Sequence, residues 1–375
     1  MISYWEKKAW TSYDYLIIGG GIVGCFAALE IIEQQPNANV AILERGLFPH
    51  GASTRNAGFA CFGSLTEIES DLKTLSTDEM LALIDKRRKG LEKLRKTLGD
   101  AAIGYIPSGG YELFLKPEKD LDDRIASINR LLQPLIKEAV FLTASDQITQ
   151  KGFDPKKVKH LISNPLEGLI DTGKMTRQLH RKVAQCGIAY FAQTEVLDFH
   201  ADPQSIKLNV RAGNQVIELQ TQRLGICTNA FTKRWFPKEE IKPGRGCVLI
   251  SKPIKNLNLE ACYHYQQGYY YFRTIDNRLL IGGGRQLDFE GENTTQMGIN
   301  PKIKTALLSD IKNFILPHHP FEIDMEWSGI MAFGANKKPL VKKIDQNIAM
   351  GVRLGGMGVA IGSLIGTEVG QLLTS

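Results

Sequence analysis

Asp14-Tyr-Leu-Ile-Ile18-Gly19-Gly20-Gly21-Ile22-Val23-Gly24 is the stretch from which the rest of the chain is read. Its first half is short and apolar, which predicts a buried parallel strand. The glycines that follow predict a tight turn. Ile22–Gln35 then carries apolar residues at helical spacing and stops at Pro36, and Asn39-Val-Ala-Ile-Leu43 is a second buried strand that ends at Glu44. Strand, Gly-x-Gly-x-x-Gly turn, helix and strand within about 30 residues form a βαβ unit of the dinucleotide-binding kind. Gly19 permits the turn, Gly21 lets backbone approach a pyrophosphate at the positive end of the helix, and Gly24 lets helix and strand pack closely. Ile22 and Val23 belong to the same cradle. Glu44 lies 20 positions beyond Gly24 (44 − 24), where a carboxylate accepts hydrogen bonds from a ribose diol.

This fingerprint alone does not separate FAD from NAD. Two further stretches favour FAD. Gly51-Ala-Ser-Thr-Arg-Asn-Ala-Gly58 follows Glu44 where an NAD-binding fold would continue to a short crossover and a third strand. It offers backbone N–H groups, the hydroxyls of Ser53 and Thr54, and the Arg55 guanidinium to a long polar cofactor. Gly355-Gly356-Met357-Gly358 opens the last apolar helix. The N-terminus of that helix is placed to stabilise an anionic reduced flavin.

Farther out, the composition sets bounds. The chain has 375 residues, of which 43% are hydrophobic, enough for two domains or one large one with a substantial core. The net charge of +6 is a mild excess of scattered basic residues. The densest stretch, Lys86-Arg87-Arg88-Lys89, falls within an amphipathic helical pattern and is read as a solvated helix face, so no nucleic-acid partner is expected. The cysteines Cys25, Cys61, Cys186, Cys227, Cys247 and Cys262 contain no Cys-x-x-Cys pair, so no metal site is expected. Most lie in apolar strings, as reduced thiols of a cytoplasmic protein do. No secretory signal and no membrane span is expected, because the longest apolar stretches are short and studded with glycine.

Along the chain, Ser76 and Glu79 form a capping box that opens a helix to about Leu98. Strand-like segments occupy Ile103–Leu115, and a helix near Glu118–Leu132 is stopped by Pro134. Met175–Cys186 reads as a helix, and Tyr190–Phe199 and Leu224–Thr228 as strands. Cys247–Leu287 has strand signals on both sides of Asp276-Asn277. The expected fold is α/β: a doubly wound, Rossmann-like nucleotide domain with a discontinuous second α+β domain built on a mixed antiparallel sheet. The expected boundaries are 1–75, 145–235 and 325–375 for the first, and 76–144 and 236–324 for the second.

With these residues in view, the sequence resembles the D-amino-acid oxidase superfamily, in particular its glycine oxidase, sarcosine oxidase and γ-glutamylputrescine oxidase branch. The resemblance spans nearly the whole chain. It is carried by the stretches above and by Ala41-Ile-Leu-Glu-Arg45, Ile170-Asp-Thr-Gly-Lys174, Cys227-Thr-Asn-Ala-Phe-Thr232, Leu279-Leu-Ile-Gly-Gly-Gly284, Trp327-Ser-Gly329 and Lys338-Pro339. It implies an FAD domain in which Glu44 and Arg45 hold the adenosine, Ser53 to Gly58 (with Asn56 and Ala57) run beside the flavin, and Val196 meets adenine through its backbone. Thr228 and Asn229, and the segment Gly355 to Val359, complete the implied cofactor set. Relatives with covalently attached flavin carry a histidine where this chain has Arg55, or a cysteine in the region following Trp327. No cysteine follows Cys262, so non-covalent FAD is expected. The substrate-binding lysine of the sarcosine oxidase branch is absent at Ala360.

The activity implied is two-electron oxidation of a C–N bond in an amine or amino acid, by hydride transfer to flavin N5, with oxygen or another acceptor closing the cycle. The flavin carries the chemistry, so no catalytic side chain is assigned. Tyr271 and Arg273 share one face of an aromatic strand, and Arg273 is expected to bind a substrate carboxylate with two hydrogen bonds. Arg353 is a second candidate for substrate contact. His264 is read as a packing residue. Two alternatives stay open: a flavin oxidase acting on a modified tRNA uridine, and a flavin-binding subunit without turnover of its own.

Overall fold

A computed structural model describes residues 2–202 and 205–375. It is built on two large sheets. The first runs in the order Leu340–Lys343, Ile348–Val352, Gln215–Ile226, Ser12–Ile18, Val40–Leu43, Ala189–Phe191. Its pairings are parallel except that between Leu340–Lys343 and Ile348–Val352, which is antiparallel. Gln215–Ile226 continues into an antiparallel meander with Ile206–Ala212 and Thr194–Ala201. Alternate residues of the first strand serve opposite faces. Tyr15 and Ile17 join the helices Ile22–Gln34, Thr172–Gln185 and Gly358–Thr374 in one core, whereas Leu16 and Ile18 meet the meander residues Val196, Ile206 and Leu208 in another.

The last helix seals the first. Gly366 of Gly358–Thr374 lies so close to the Ile22–Gln34 helix that a Cβ there would come 2.4 Å from the Val23 carbonyl oxygen. The long helix Thr77–Leu98, opened by the expected Ser76–Glu79 capping box, packs against the same terminal helix at Gly90.

The second sheet runs Ile323–Phe333, Lys242–Ser251, Arg278–Gly283, Tyr270–Ile275, Cys262–Tyr265, Gly110–Phe114, His160–Asn164, Leu142–Thr143. It is antiparallel except where Cys262–Tyr265 lies parallel to Gly110–Phe114. Asp276 and Asn277 both have positive φ, +50° and +56°, and turn the chain between two of its strands. The outer face is an aromatic core: Tyr263 stacks on Phe272 at 4.9 Å and Tyr265 on Tyr270 at 4.7 Å, under the helix Pro301–Asp310. The inner face presents Tyr271, His264 and Glu112 in one cross-strand row.

Three segments depart from the sequence reading. His160–Asn164 and Ile323–Phe333 hydrogen-bond into the covering sheet, so the nucleotide sheet does not hold all of 145–235 or 325–375. The helix Thr77–Leu98 packs under the nucleotide sheet through Leu91, Leu94 and Leu98, although it lies in the stretch assigned to the second domain. In these three cases a tertiary partner distant in sequence decides the placement. Finally, Arg87 of the basic stretch is only 1% exposed. Its guanidinium donates to the Phe62 carbonyl at 3.0 Å and faces Asp71 at 3.7 Å, while Lys86 and Lys89 form surface ion pairs.

Candidate active site

Between the two sheets lies a cavity of about 430 Å³. One end starts at the fingerprint turn. Gly19 has φ +109°, and a Cβ on it would come 2.6 Å from the Cys227 carbonyl oxygen. Gly24 does not line the cavity. It serves packing, since a Cβ there would sit 1.9 Å from the Gly19 carbonyl oxygen. The helix that begins at Ile22 has no acidic residue in its first turn and no side-chain cap. Its Ile22 N–H donates instead to the Ser53 hydroxyl at 3.0 Å. Free first-turn donors and the helix dipole make this end of the cavity an anion site.

Glu44 is fixed by backbone: one carboxylate oxygen accepts from Gly20 N–H at 3.0 Å and the other from Gly46 N–H at 2.9 Å. The Arg45 guanidinium lies 3.8 Å over the Phe231 ring, and Val196 closes the same end. Thr228, Asn229 and Gly355–Val359 line the wall opposite the loop that follows Gly51.

That loop is a one-turn helix, Ala52–Arg55, followed by a clip. Asn56 donates to the Ser53 carbonyl at 2.8 Å and accepts from Gly58 N–H and the Thr172 hydroxyl, both at 2.9 Å. Arg55 donates to the Ser328 carbonyl at 2.9 Å, and its own carbonyl accepts from the Trp327 indole at 3.0 Å. Thr54 and Gly58 lie behind the cavity wall: the Thr54 hydroxyl bonds the Pro49 and Gly51 carbonyls, and Gly58 packs under Ile170.

The arginines expected to meet substrate do not line the cavity. Arg273 shares a face with Tyr271, as the strand parity requires, but it lies two residues nearer the turn, behind the loop. Only 4% exposed, its Nη1 donates to the carbonyls of Ile170 (2.7 Å), Gly58 (3.0 Å) and Ala57 (3.3 Å). Burial pushes its pKa down to about 10, which leaves it charged at neutral pH. It is a clamp on the Gly51–Gly58 loop. Arg353, at φ +65°, pairs with Glu240 at 3.1 Å and donates to the Lys338 carbonyl at 3.2 Å. It is a structural ion pair.

Tyr271 does line the cavity, with Phe59 at 5.4 Å and edge-on. Beside it the fold places a residue the sequence reading did not single out. Arg285 leaves the sheet just after Gly284, whose φ is +80°. Its guanidinium lies 4.1 Å over the Phe333 ring and 5.0 Å over the Phe289 ring. Its Nε is buried without a hydrogen-bond partner among the described residues. Glu292, which attracts it, is already bonded to Arg245 at 2.8 Å. The only sequence signal was an arginine at the end of a glycine run, and nothing local says that it lacks an acid.

The far wall carries buried charge. Glu67 and Lys337 line the cavity; Lys337 pairs with Asp71 at 2.9 Å and lies 3.7 Å from Glu67. Glu112, behind them, is pushed up to about 7 by burial, although the Thr66 and Ser64 groups that bond it pull the other way. Cys61 and His264 also face the cavity. Burial pushes the His264 imidazole down, but the facing thiols and Glu167 raise it further, well above the ordinary histidine value.

Comparison with known proteins bears on family and fold. Residues 14–372 match the family described as FAD dependent oxidoreductase. Gamma-glutamylputrescine oxidoreductase of Escherichia coli is 24% identical over 387 residues, 96% of this chain and 83% of that protein. Mitochondrial L-2-hydroxyglutarate dehydrogenase of Caenorhabditis elegans is 22% identical over 369 residues, 92% of this chain and 81% of that protein. Among solved structures, glycine oxidase from Geobacillus kaustophilus superposes with a TM-score of 0.76 at 19% identity, covering 97% of this chain and 95% of that one.

Proposed function

The chain belongs to the FAD-dependent oxidoreductase family, and from that premise we propose that it oxidises the C–N bond of a carboxylate-bearing amine, an amino acid in the broad sense. FAD is the cofactor. The cavity fits it: a helix N-terminus without a side-chain cap, a carboxylate pinned for a ribose, and a glycine-opened wall follow one another along a single space. Bound there, FAD supplies the two-electron acceptor.

The chain's own residues do the rest by position. Tyr271, Phe59 and Met331 wall off the reacting end and exclude water. Arg285 holds the substrate carboxylate, with the Phe333 ring packed against its guanidinium. No side chain need move a proton in the oxidative step if the amine enters neutral. Fixing the C–H bond in one orientation is the protein's contribution. The imine product leaves for hydrolysis in water.

The observation that carries this reading is the buried Arg285 Nε without a partner, on the cavity wall. Losing a charge-assisted contact costs roughly 1.5–3 kcal/mol, about 10- to 150-fold in equilibrium. Arg285→Ala therefore raises the substrate concentration needed for anaerobic flavin reduction by that factor and leaves the flavin spectrum unchanged. Arg285→Lys recovers only part, because an ammonium lacks the planar fork. Wild-type affinity in Arg285→Ala overturns the assignment. A library of amines, amino acids and 2-hydroxy acids identifies the substrate. Faster reduction by a hydroxy acid than by every amine replaces C–N with C–O chemistry.

FAD is held without a covalent bond in this reading. The cysteines that line the cavity, Cys61 and Cys227, are poor nucleophiles, since burial pushes their thiols up to about 11 and about 12. Acid precipitation releases all the FAD into the supernatant; a yellow pellet shows a covalent link.

A further inference from the structure

We propose that Cys61, Glu167 and His264 form a binding site for one divalent transition-metal ion, of which zinc is the best match, with an open coordination position on the cofactor cavity. A thiol sulfur, a carboxylate oxygen and an imidazole nitrogen from these residues all lie within 4.8 Å of one another. The three side chains come together through the sheet architecture. Phe59–Ala60 pairs antiparallel with Gly168–Leu169, Ala60 opposite Gly168, and the next step of that register sets Cys61 opposite Glu167. His264 projects onto this ribbon from the middle of Cys262–Tyr265, its ring held 5.1 Å from that of Phe59.

The polar atoms of the cluster are not satisfied by the protein. Cys61 is 7% exposed, Glu167 2% and His264 6%, and both Glu167 Oε1 and His264 Nε2 are buried without a hydrogen-bond partner among the described residues. The approach of His264 Nε2 to Glu167 Oε2, 3.5 Å, is too long for a good hydrogen bond. The other neighbour of that oxygen is the Cys262 thiol, a weak donor, at 3.7 Å. A carboxylate removed from water with such poor partners is costly. Without an ion a protonated His264 faces Glu167 at this long distance; a doubly charged cation takes the place of the imidazole and thiol protons, because a thiolate, a carboxylate and a neutral imidazole balance its charge.

The donor set selects the ion. Sulfur and imidazole exclude magnesium and calcium, which take oxygen ligands, and suit zinc. Tetrahedral zinc, with bonds of about 2.0–2.3 Å, needs its donors roughly 3.3–3.8 Å apart, a contraction within reach of small side-chain rotations. Three protein ligands leave one position for an outside group. Since Cys61 and His264 both line the cavity, that position faces whatever occupies it, and an oxygen or nitrogen of the cavity's ligand is the class of donor it takes.

The test uses FAD-loaded protein stripped of metal by a chelator and titrated with zinc, and in parallel with cobalt. Cobalt reports directly, because a cobalt–thiolate bond absorbs in the near ultraviolet. One equivalent of each ion per chain and a thiolate band in wild type are expected. Cys61→Ser removes the band, and His264→Ala weakens binding by at least roughly 100-fold, more than loss of an outer-shell contact costs. Cys186→Ser, which alters a thiol outside the cluster, keeps both. Absence of a stoichiometric metal and of the thiolate band in wild type overturns the proposal, whether or not the variants fold. A cobalt spectrum unchanged in Cys61→Ser with its FAD retained overturns it equally. Neither result depends on which substrate the enzyme oxidises.

Discussion

Gly21→Val yields a folded protein that no longer retains FAD. Gly21 caps the helix that begins at Ile22, and a Cβ on it would come 2.7 Å from the Ser53 hydroxyl. Valine adds two more carbons to that contact. Ser53 must then abandon the Ile22 N–H, and the new side chain fills the space through which backbone reaches a pyrophosphate. Overpacking of this kind costs about 1–3 kcal/mol, about 5- to 150-fold in equilibrium, and the lost pyrophosphate contacts add to it. Purified Gly21→Val is colourless, with the circular dichroism of wild-type apoprotein. Full FAD occupancy in this variant would mean that the pyrophosphate lies elsewhere.

Arg273→Met lowers stability more than any other single charge removal on the covering sheet. One guanidinium nitrogen serves the carbonyls of Ala57, Gly58 and Ile170, tying the Gly51–Gly58 loop and the Gly168–Leu169 ribbon to the sheet. Methionine keeps much of the volume but leaves the Ala57 and Ile170 carbonyls in a dry interior without this donor, while Gly58 keeps the Ile170 N–H at 2.8 Å. Each unsatisfied group costs about 1–3 kcal/mol, so a loss of about 2 kcal/mol or more is expected, which is a drop on the order of 3 °C in melting temperature. Flavin fluorescence followed during heating measures it, because the loop releases the cofactor as it opens. Substrate affinity at a temperature where the variant is folded stays within about twofold of wild type. An unchanged melting temperature with weakened substrate binding would instead return Arg273 to the cavity.

The contrast between Arg273 and Arg285 shows what sequence can and cannot convey. Side-chain alternation in Tyr270–Ile275 puts Tyr271 and Arg273 on one face, and the structure agrees. Alternation says nothing about where along that face the cavity ends, and the loop Gly51–Gly58 covers the sheet at Arg273. The fingerprint Gly19–Gly24 was legible because strand, turn and helix are adjacent in the chain and each residue's task is local. The Cys61, Glu167 and His264 cluster was not legible, since about a hundred residues separate each member from the next and no spacing rule joins them. Arg87 fell to the same limit. Its neighbours Lys86 and Lys89 are surface residues, and only the arrival of Asp71 and the Phe62 carbonyl explains a guanidinium in the interior. Conversely, the Asp276-Asn277 turn and the Ser76–Glu79 cap were read correctly because their physics lies within four residues.

The closure of the Ile22–Gln34 helix by Gly358–Thr374 has a consequence for biosynthesis. The Ile22–Gln34 helix leaves the ribosome early, yet the flank that faces Gly358–Thr374 has no cover until residues 358–374 are translated. Val23, Phe26 and Ala27 must wait for Gly362, Gly366 and Gly370. Contacts of such high sequence separation form slowly, and exposed apolar surface held open in the meantime invites aggregation. The fingerprint turn therefore gains its final support only once residues 358–374 have joined the fold, and loss of that helix leaves Val23, Phe26 and Ala27 bare.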